Sequence, residues 1–243
     1  METAWHGDRL LSGAADRTIK LWDLASQSGG RCLQTMHGHT SWVTHGRYWG
    51  RNTIISASSD RSIALWDARS GSSPLNILRY HNGPISDLYL ESRNSFWMAS
   101  AGSDGTIATW DFRMMKTLNE DSAENMFRRT NPVRTPRARM VHVGQVSGPV
   151  LLRKGLSGRT PNDCQSIMSA TIDDRIKEWN PLSGDLITEH KIRCGNKMSC
   201  FKTFSADECL TTNTHYAGER LGGTITASWD GSVRIRQLFV DKH

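Results

Sequence analysis

One Asp-centred unit recurs five times along this chain of 243 residues. It reads "ADRTIKLWD" around Asp16, "SSDRSIALWD" around Asp60, "GSDGTIATWD" around Asp104, "TIDDRIKEWN" around Asp173 and "SWDGSVRIRQ" around Asp230. The first two steps are both 44 residues and the next two are 69 and 57, so insertions interrupt units of one design. Four residues before each marker stand Ser12, Ser56, Ser100, Ser169 and Thr226; six after it stand Trp22, Trp66, Trp110, Trp179 and Arg236. A period of this length restricts the fold severely. A single unit cannot bury both of its faces, so it is stable only when stacked on its neighbours.

Within each unit the residues alternate in polarity over short runs bounded by turn residues, the pattern of β-strands. "NTIISAS" and "RSIALWD" flank the turn at Asp60 as a hairpin, while "RCLQTMH" and "SWVTHGRYW" supply further strands. Four short strands per unit is the pattern of a propeller blade, so the expected fold is all-β. The units resemble WD repeats in period, in their Trp-Asp ends and in the hydroxyl column, and the resemblance covers nearly the whole chain outside the two insertions. It implies a buried hydrogen-bond chain in each blade, joining a turn His to the strand Ser or Thr, the turn Asp and the strand Trp. Carried onto this sequence, His39, Ser56, Asp60 and Trp66 form one chain, and His81, Ser100, Asp104 and Trp110 a second. Ser12, Asp16 and Trp22, then Ser169, Asp173 and Trp179, and finally Thr226 with Asp230 hold the same places elsewhere. The fourth unit lacks the His, and the fifth has Cys194 there and Arg236 in place of Trp.

On this register the chain divides near residues 1–27, 28–71, 72–115, 116–184 and 185–243, all within a single propeller spanning 1–243, with a basic insertion at 116–138. Trp5 precedes Asp16 by eleven residues, as Trp49 precedes Asp60, so Met1 falls opposite His45 inside the first strand of a blade. The first of about five four-stranded blades is therefore expected to be incomplete. Because the resemblance implies a seven-bladed ring, the chain is expected to be the C-terminal part of a longer protein, of the F-box/WD-repeat type.

The net charge of +6 is concentrated in one place. Eight basic residues and no acidic ones lie between Arg128 and Asn162, leaving the remainder close to neutral. Five cysteines, odd in number and without a CxxC pair, fit a reducing compartment, cytoplasmic or nuclear. No apolar run reaches the ~18 residues of a membrane helix, and none of the phosphate-loop, zinc-protease or nucleophile-elbow motifs occurs. No catalytic residue, cofactor, metal or small-molecule substrate is expected. His37 and His39 in "MHGHT" read as turn residues rather than metal ligands, since no second ligand pair accompanies them.

Binding is the remaining class. Trp42 and Trp229 fall outside the strand-end column, in turns that the resemblance assigns to the narrow face of a propeller, and Trp is a typical interface anchor. Arg134, Arg137 and Arg139 lie in the basic insertion, expected as a surface loop ahead of the fourth blade; it is either a solvated loop or a contact for a phosphorylated protein or RNA. Two function classes follow: a non-catalytic scaffold for protein partners, such as the substrate-recruiting propeller of a ubiquitin ligase, and an RNA-associated protein of ribosome assembly or RNA processing.

Overall fold

The marker Asp builds the hairpins. In the computed structural model, Asp16 Oδ1 accepts the Thr18 amide at 3.0 Å, and Asp60, Asp104 and Asp230 accept the amides of Ser62, Thr106 and Ser232 at 2.9, 3.0 and 2.8 Å. The same backbone bond recurs in each turn, from Arg17 to Ala14, Arg61 to Ser58, Gly105 to Gly102 and Gly231 to Ser228. The donor in that bond has positive φ: 70° at Arg17, 69° at Arg61 and 79° at both Gly105 and Gly231. The Asx turn thus sets the reversal, and the residue after Asp takes the left-handed conformation that follows from it.

The structure describes residues 2–25, 30–49, 52–69, 71–90, 97–111, 136–141, 150–159, 165–171, 175–191, 198–205 and 222–238. Their strands form five antiparallel sheets. The first holds β1 (Glu2–His6), β2 (Arg9–Gly13), β3 (Thr18–Asp23) and β4 (Arg31–His37) in sequence order. The second holds β5 (Val43–Trp49), β6 (Thr53–Ser58), β7 (Ser62–Asp67) and β8 (Asn76–Arg79), and the third β9 (Ile85–Leu90), β10 (Trp97–Gly102), β11 (Thr106–Asp111) and β12 (Ala138–Val141). The fourth holds β13 (Leu151–Arg159), β14 (Gln165–Ala170), β15 (Arg175–Trp179) and β16 (Leu186–Lys191); β17 (Met198–Ser205), β18 (Gly222–Ser228) and β19 (Val233–Leu238) form the fifth. Contacts divide these into two compact units, Met1–Pro149 with three sheets and Val150–His243 with two.

Two expectations about the blades need correction. The first sheet has four strands, and among the described residues it is the fifth that has three. The repeat as read from Asp to Asp does not coincide with the sheet, because the outer strand of each sheet (β4, β8, β12) comes from the residues that open the following repeat. For the same reason the segment that ends the basic insertion leads into β12, which pairs with β11 of the third sheet.

Apolar residues facing outward from one sheet meet those of the next. In the first unit, Leu11, Ile19, Leu21 and Met36 of the first sheet pack with Ile54, Ala64 and Trp66 of the second. The opposite face of the second sheet, carrying Ile55, Ala57, Ile63 and Leu65, packs with Leu88, Met98, Ala108 and Trp110 of the third. In the second unit Phe201 packs against Met168, Ala170 and Ile176. The other face of the fifth sheet is open: Ile225 pairs with Ile235 and Ala227 with Val233 across β18 and β19, and Val233 and Ile235 are 67% and 69% exposed.

A second hydroxyl column, which the Asp register does not reveal, marks the first strand of three sheets. β5, β9 and β17 each bulge at a hydroxyl residue, Thr44, Ser86 or Ser199. These hydroxyls donate to the carbonyls of Ala57, Ala101 and Ala227 on the paired strand, at 3.2, 3.1 and 3.2 Å. Thr44 Oγ1 also lies 2.9 Å from the Ile85 carbonyl, which ties the second sheet to the third. The side chain thus occupies carbonyls that a bulge would leave without a ladder partner. Among the described residues no helix is long and apolar enough to cross a membrane.

Candidate functional site

In the second sheet the four residues carried over from the repeat lie in one hydrogen-bonded chain. Trp66 Nε1–H donates to Ser56 Oγ at 2.8 Å, and Ser56 in turn lies 2.8 Å from His39 Nε2. His39 Nδ1 lies 2.9 Å from Asp60 Oδ2. Since the carboxylate only accepts, Nδ1 carries the ring proton and Nε2 accepts the serine proton. Asp60 also takes the Thr40 amide at 2.9 Å and the Ser62 hydroxyl at 2.5 Å. Burial pushes the Asp60 carboxyl up, but the bonds from Ser62, Thr40 and His39 outweigh it and hold its pKa at about 2. Burial likewise lowers the pKa of His39, against the opposing pull of Asp60.

The third sheet builds the chain differently. Trp110 donates to Ser100 at 3.0 Å and Ser100 lies 2.7 Å from His81 Nε2, as before. His81 Nδ1, however, donates to Thr106 Oγ1 at 2.9 Å, and that hydroxyl donates to Asp104 Oδ1 at 2.6 Å. In the first sheet Trp22 donates to Ser12 at 2.9 Å while Asp16 holds only its own turn through Thr18. In the fourth, Trp179 donates to Ser169 at 2.7 Å. Thr226 is buried in the fifth and Asp230 caps Ser232. Asp173, Cys194 and the side chain of Arg236 lie outside the described residues.

Ser, His and Asp in hydrogen-bonded order have the connectivity of a catalytic triad, yet the geometry assigns them another role. Ser56 is 0% exposed and its oxygen already accepts the Trp66 N–H, so no substrate carbonyl reaches it. The chain locks the packing of the second and third sheets. His39 is spent in this network, while His37 is exposed at the end of β4. Cys32 and Cys200 are exposed free thiols.

Trp42 is 64% exposed, on a turn held from both sides. The next residue, Val43, donates its amide to Ala14 O in the first sheet's hairpin turn at 3.1 Å, and Ser59 donates to Trp42 O at 2.8 Å. Ser58 Oγ adds a bond to Ser41 O at 3.1 Å. The indole therefore projects into solvent from a fixed backbone, between the turns that carry Arg17 and Arg61, both exposed. Trp229, 73% exposed, stands on the β18–β19 turn of the other unit. Arg134 lies outside the described residues. Arg137 and Arg139, expected in a loop, belong to the outer edge of the third sheet: the Arg137 amide bonds Thr109 O at 2.7 Å, its guanidinium pairs with Asp111, and Arg139 is exposed on β12 opposite Ala108. Arg17 and Arg61 were not singled out from the sequence. Their signal is the contrast of Asp-Arg in the first two turns with Asp-Gly at Asp104 and Asp230.

With this geometry in hand, comparison with known proteins identifies the fold. Residues 4–23, 30–67 and 72–111 match the WD40 model, described as WD domain, G-beta repeat. The crystal structure of the WD40 beta propeller domain of Doa1 is similar over 96% of this chain and 62% of that one, with TM-score 0.61 and 17% identity. The sheets have the fold of propeller blades, and the matched residues, all in the first three sheets, are similar to WD40 repeats. The computationally designed Ika8 protein is similar over 97% of this chain and 57% of its own, with TM-score 0.62 and 18% identity. In sequence, 34 residues are 56% identical to the Lissencephaly-1 homolog of Heterostelium pallidum, which is 14% of this chain and 7% of that protein. The chain thus spans a small fraction of that relative and about three-fifths of each solved structure.

Proposed function

We propose that this chain is a non-catalytic scaffold that binds other proteins at the turn end of its blades. The observation that carries the reading is Trp42, a large apolar side chain 64% exposed on a turn fixed by the bonds to Ala14 and Ser59. A rigid, solvated indole loses little conformational freedom when covered, which is why Trp recurs as the anchor of protein interfaces. The RNA reading has less support, because its basic segment includes Arg137, whose charge is taken by Asp111. Recruitment of substrates to an F-box ubiquitin ligase, as part of a seven-bladed ring in the cytosol or nucleus, is a more specific form of the same proposal and rests on propeller type alone.

The test is affinity capture from nuclease-treated lysate with the chain and with Trp42→Ala, read by mass spectrometry. Protein partners that survive nuclease and fall several-fold with the variant, at unchanged melting temperature, support the reading. Partners that vanish with nuclease assign the chain to RNA instead, and co-capture of ubiquitin-ligase core subunits marks the specific form.

A further inference from the structure

Two arginines flank Trp42 in positions that their backbone does not favour. Arg17 and Arg61 have φ of 70° and 69°, a region where a side chain is strained, and the equivalent turns of the third and fifth blades use Gly105 and Gly231. Residues kept in such conformations direct attention to function, since the simpler choice costs less. Both are exposed, and among the described residues neither joins an ion pair. Neither guanidinium pairs with the carboxylate beside it, because each carboxylate is turned to its own hairpin. Asp16 Oδ1 is bonded to the Thr18 amide and hydroxyl, and Asp60 spends both oxygens on His39, Thr40 and Ser62. The turns are tied to the indole's own backbone through Ala14 and Ser59.

Resting on the protein-scaffold reading above, we infer that Arg17, Trp42 and Arg61 form one docking surface for an extended acidic peptide segment, with an apolar residue on the indole and a carboxylate at each arginine. Sheets packed face to face stand about 10 Å apart, a span that extended chain covers in about three residues, so the fitting motif has two acidic residues three apart with an apolar one between. Arginine matches carboxylate geometry with paired N–H donors. A nucleic acid presents a phosphate at every nucleotide and is held by larger clusters of cations, whereas this surface has two, beside the exposed carboxylate of Asp16.

The glycines of the sister blades supply the decisive variants. Arg17→Gly and Arg61→Gly remove the charge at positions where glycine is the less strained residue, so the melting temperature is expected to stay level or rise. The probe is a fluorescein-labelled peptide with two aspartates three positions apart around a leucine, titrated against the whole chain by anisotropy. Each glycine variant should weaken binding about tenfold, as should replacing both aspartates by asparagine, and Trp42→Ala should abolish it. Equal binding by the glycine variants, or by the asparagine peptide, overturns the inference. So does an oligouridine that displaces the peptide and loses affinity in the same variants. If the peptide fails while lysate partners still depend on Trp42, the acidic-peptide inference falls and the scaffold reading stands.

Discussion

His81 Nδ1 stands 3.8 Å from Asp104 Oδ1, and the Thr106 hydroxyl bridges them with bonds of 2.9 and 2.6 Å. The equivalent pair in the second blade, His39 and Asp60, bonds directly at 2.9 Å. Thr106→Val keeps the branched shape but strands the buried His81 N–H, an expected cost of about 1–3 kcal/mol by urea denaturation. Ser62→Ala leaves the His39–Asp60 bond intact and should cost less than about 1 kcal/mol. Equal losses would show that the third blade does not depend on its hydroxyl relay.

Asp60→Ala removes the acceptor of His39 together with the turn cap, and should cost about 1–3 kcal/mol. Asp230→Ala should cost only a fraction of that. Its carboxylate is exposed and holds the Ser232 amide, and among the described residues no buried imidazole depends on it. Thermal melts of the two variants side by side settle the ranking.

The acid limb of stability follows from Asp60. Its folded pKa, about 2, lies below the usual 3.8, so the unfolded chain takes up a proton first as pH falls. The stability it contributes is therefore complete above pH ~4 and disappears as pH drops toward ~2. The gap in melting temperature between the wild-type chain and Asp60→Asn should be widest above that window and close within it. His39 adds a slope of the same sign at higher pH: burial lowers its pKa from 6.5, so stability declines as the unfolded histidine becomes protonated below that value.

Glu178 is buried in the fourth blade and accepts from the Leu156 amide at 2.8 Å and the Ser166 hydroxyl at 2.5 Å. Gly155 makes room for this arrangement, since a Cβ there would stand 2.1 Å from Ser166 Oγ and 2.4 Å from Glu178 Oε1. Gly155→Ala is expected to cost more than about 2 kcal/mol, and adding Ser166→Ala should recover part of the loss. No recovery in the double variant would mean that the clashes with Glu178 and with the Ser166 backbone, 2.8 Å from the added Cβ, are decisive.

What was legible in the sequence was what a hairpin makes local. Ser and Trp of each unit lie ten residues apart across one turn, so the Asp cap sets their register and brings indole to hydroxyl in four blades. Non-local relations were not legible. The strand β12 pairs with β11 across the long insertion, and nothing local to Ala138–Val141 announces that partner. The sequence around Arg137 accordingly has the character of a loop, while its pairing with Asp111 belongs to the sheet edge. The Thr106 relay has no sequence signature for another reason, because His81 and Asp104 occupy the same places as His39 and Asp60 and differ only by a shift of about an ångström. Arg17 and Arg61 were visible as letters, but the meaning of their position comes from φ.

The uncovered strand pair of the fifth blade gives the molecule an adhesive side. Ile225, Val233 and Ile235 form a dry stripe on β18 and β19 whose counterparts in the second blade, Ile55, Ile63 and Leu65, lie hidden beneath a neighbour. Such a stripe behaves in solution like a detergent-binding surface: it takes up apolar dyes and gathers copies as concentration rises. Val233→Lys together with Ile235→Glu would wet it, and the fluorescence of a bound naphthalene dye should fall accordingly. Among the described residues, the behaviour of this face in solution is set by three side chains, while the hydrogen-bonded network that shapes the blades has no part in it.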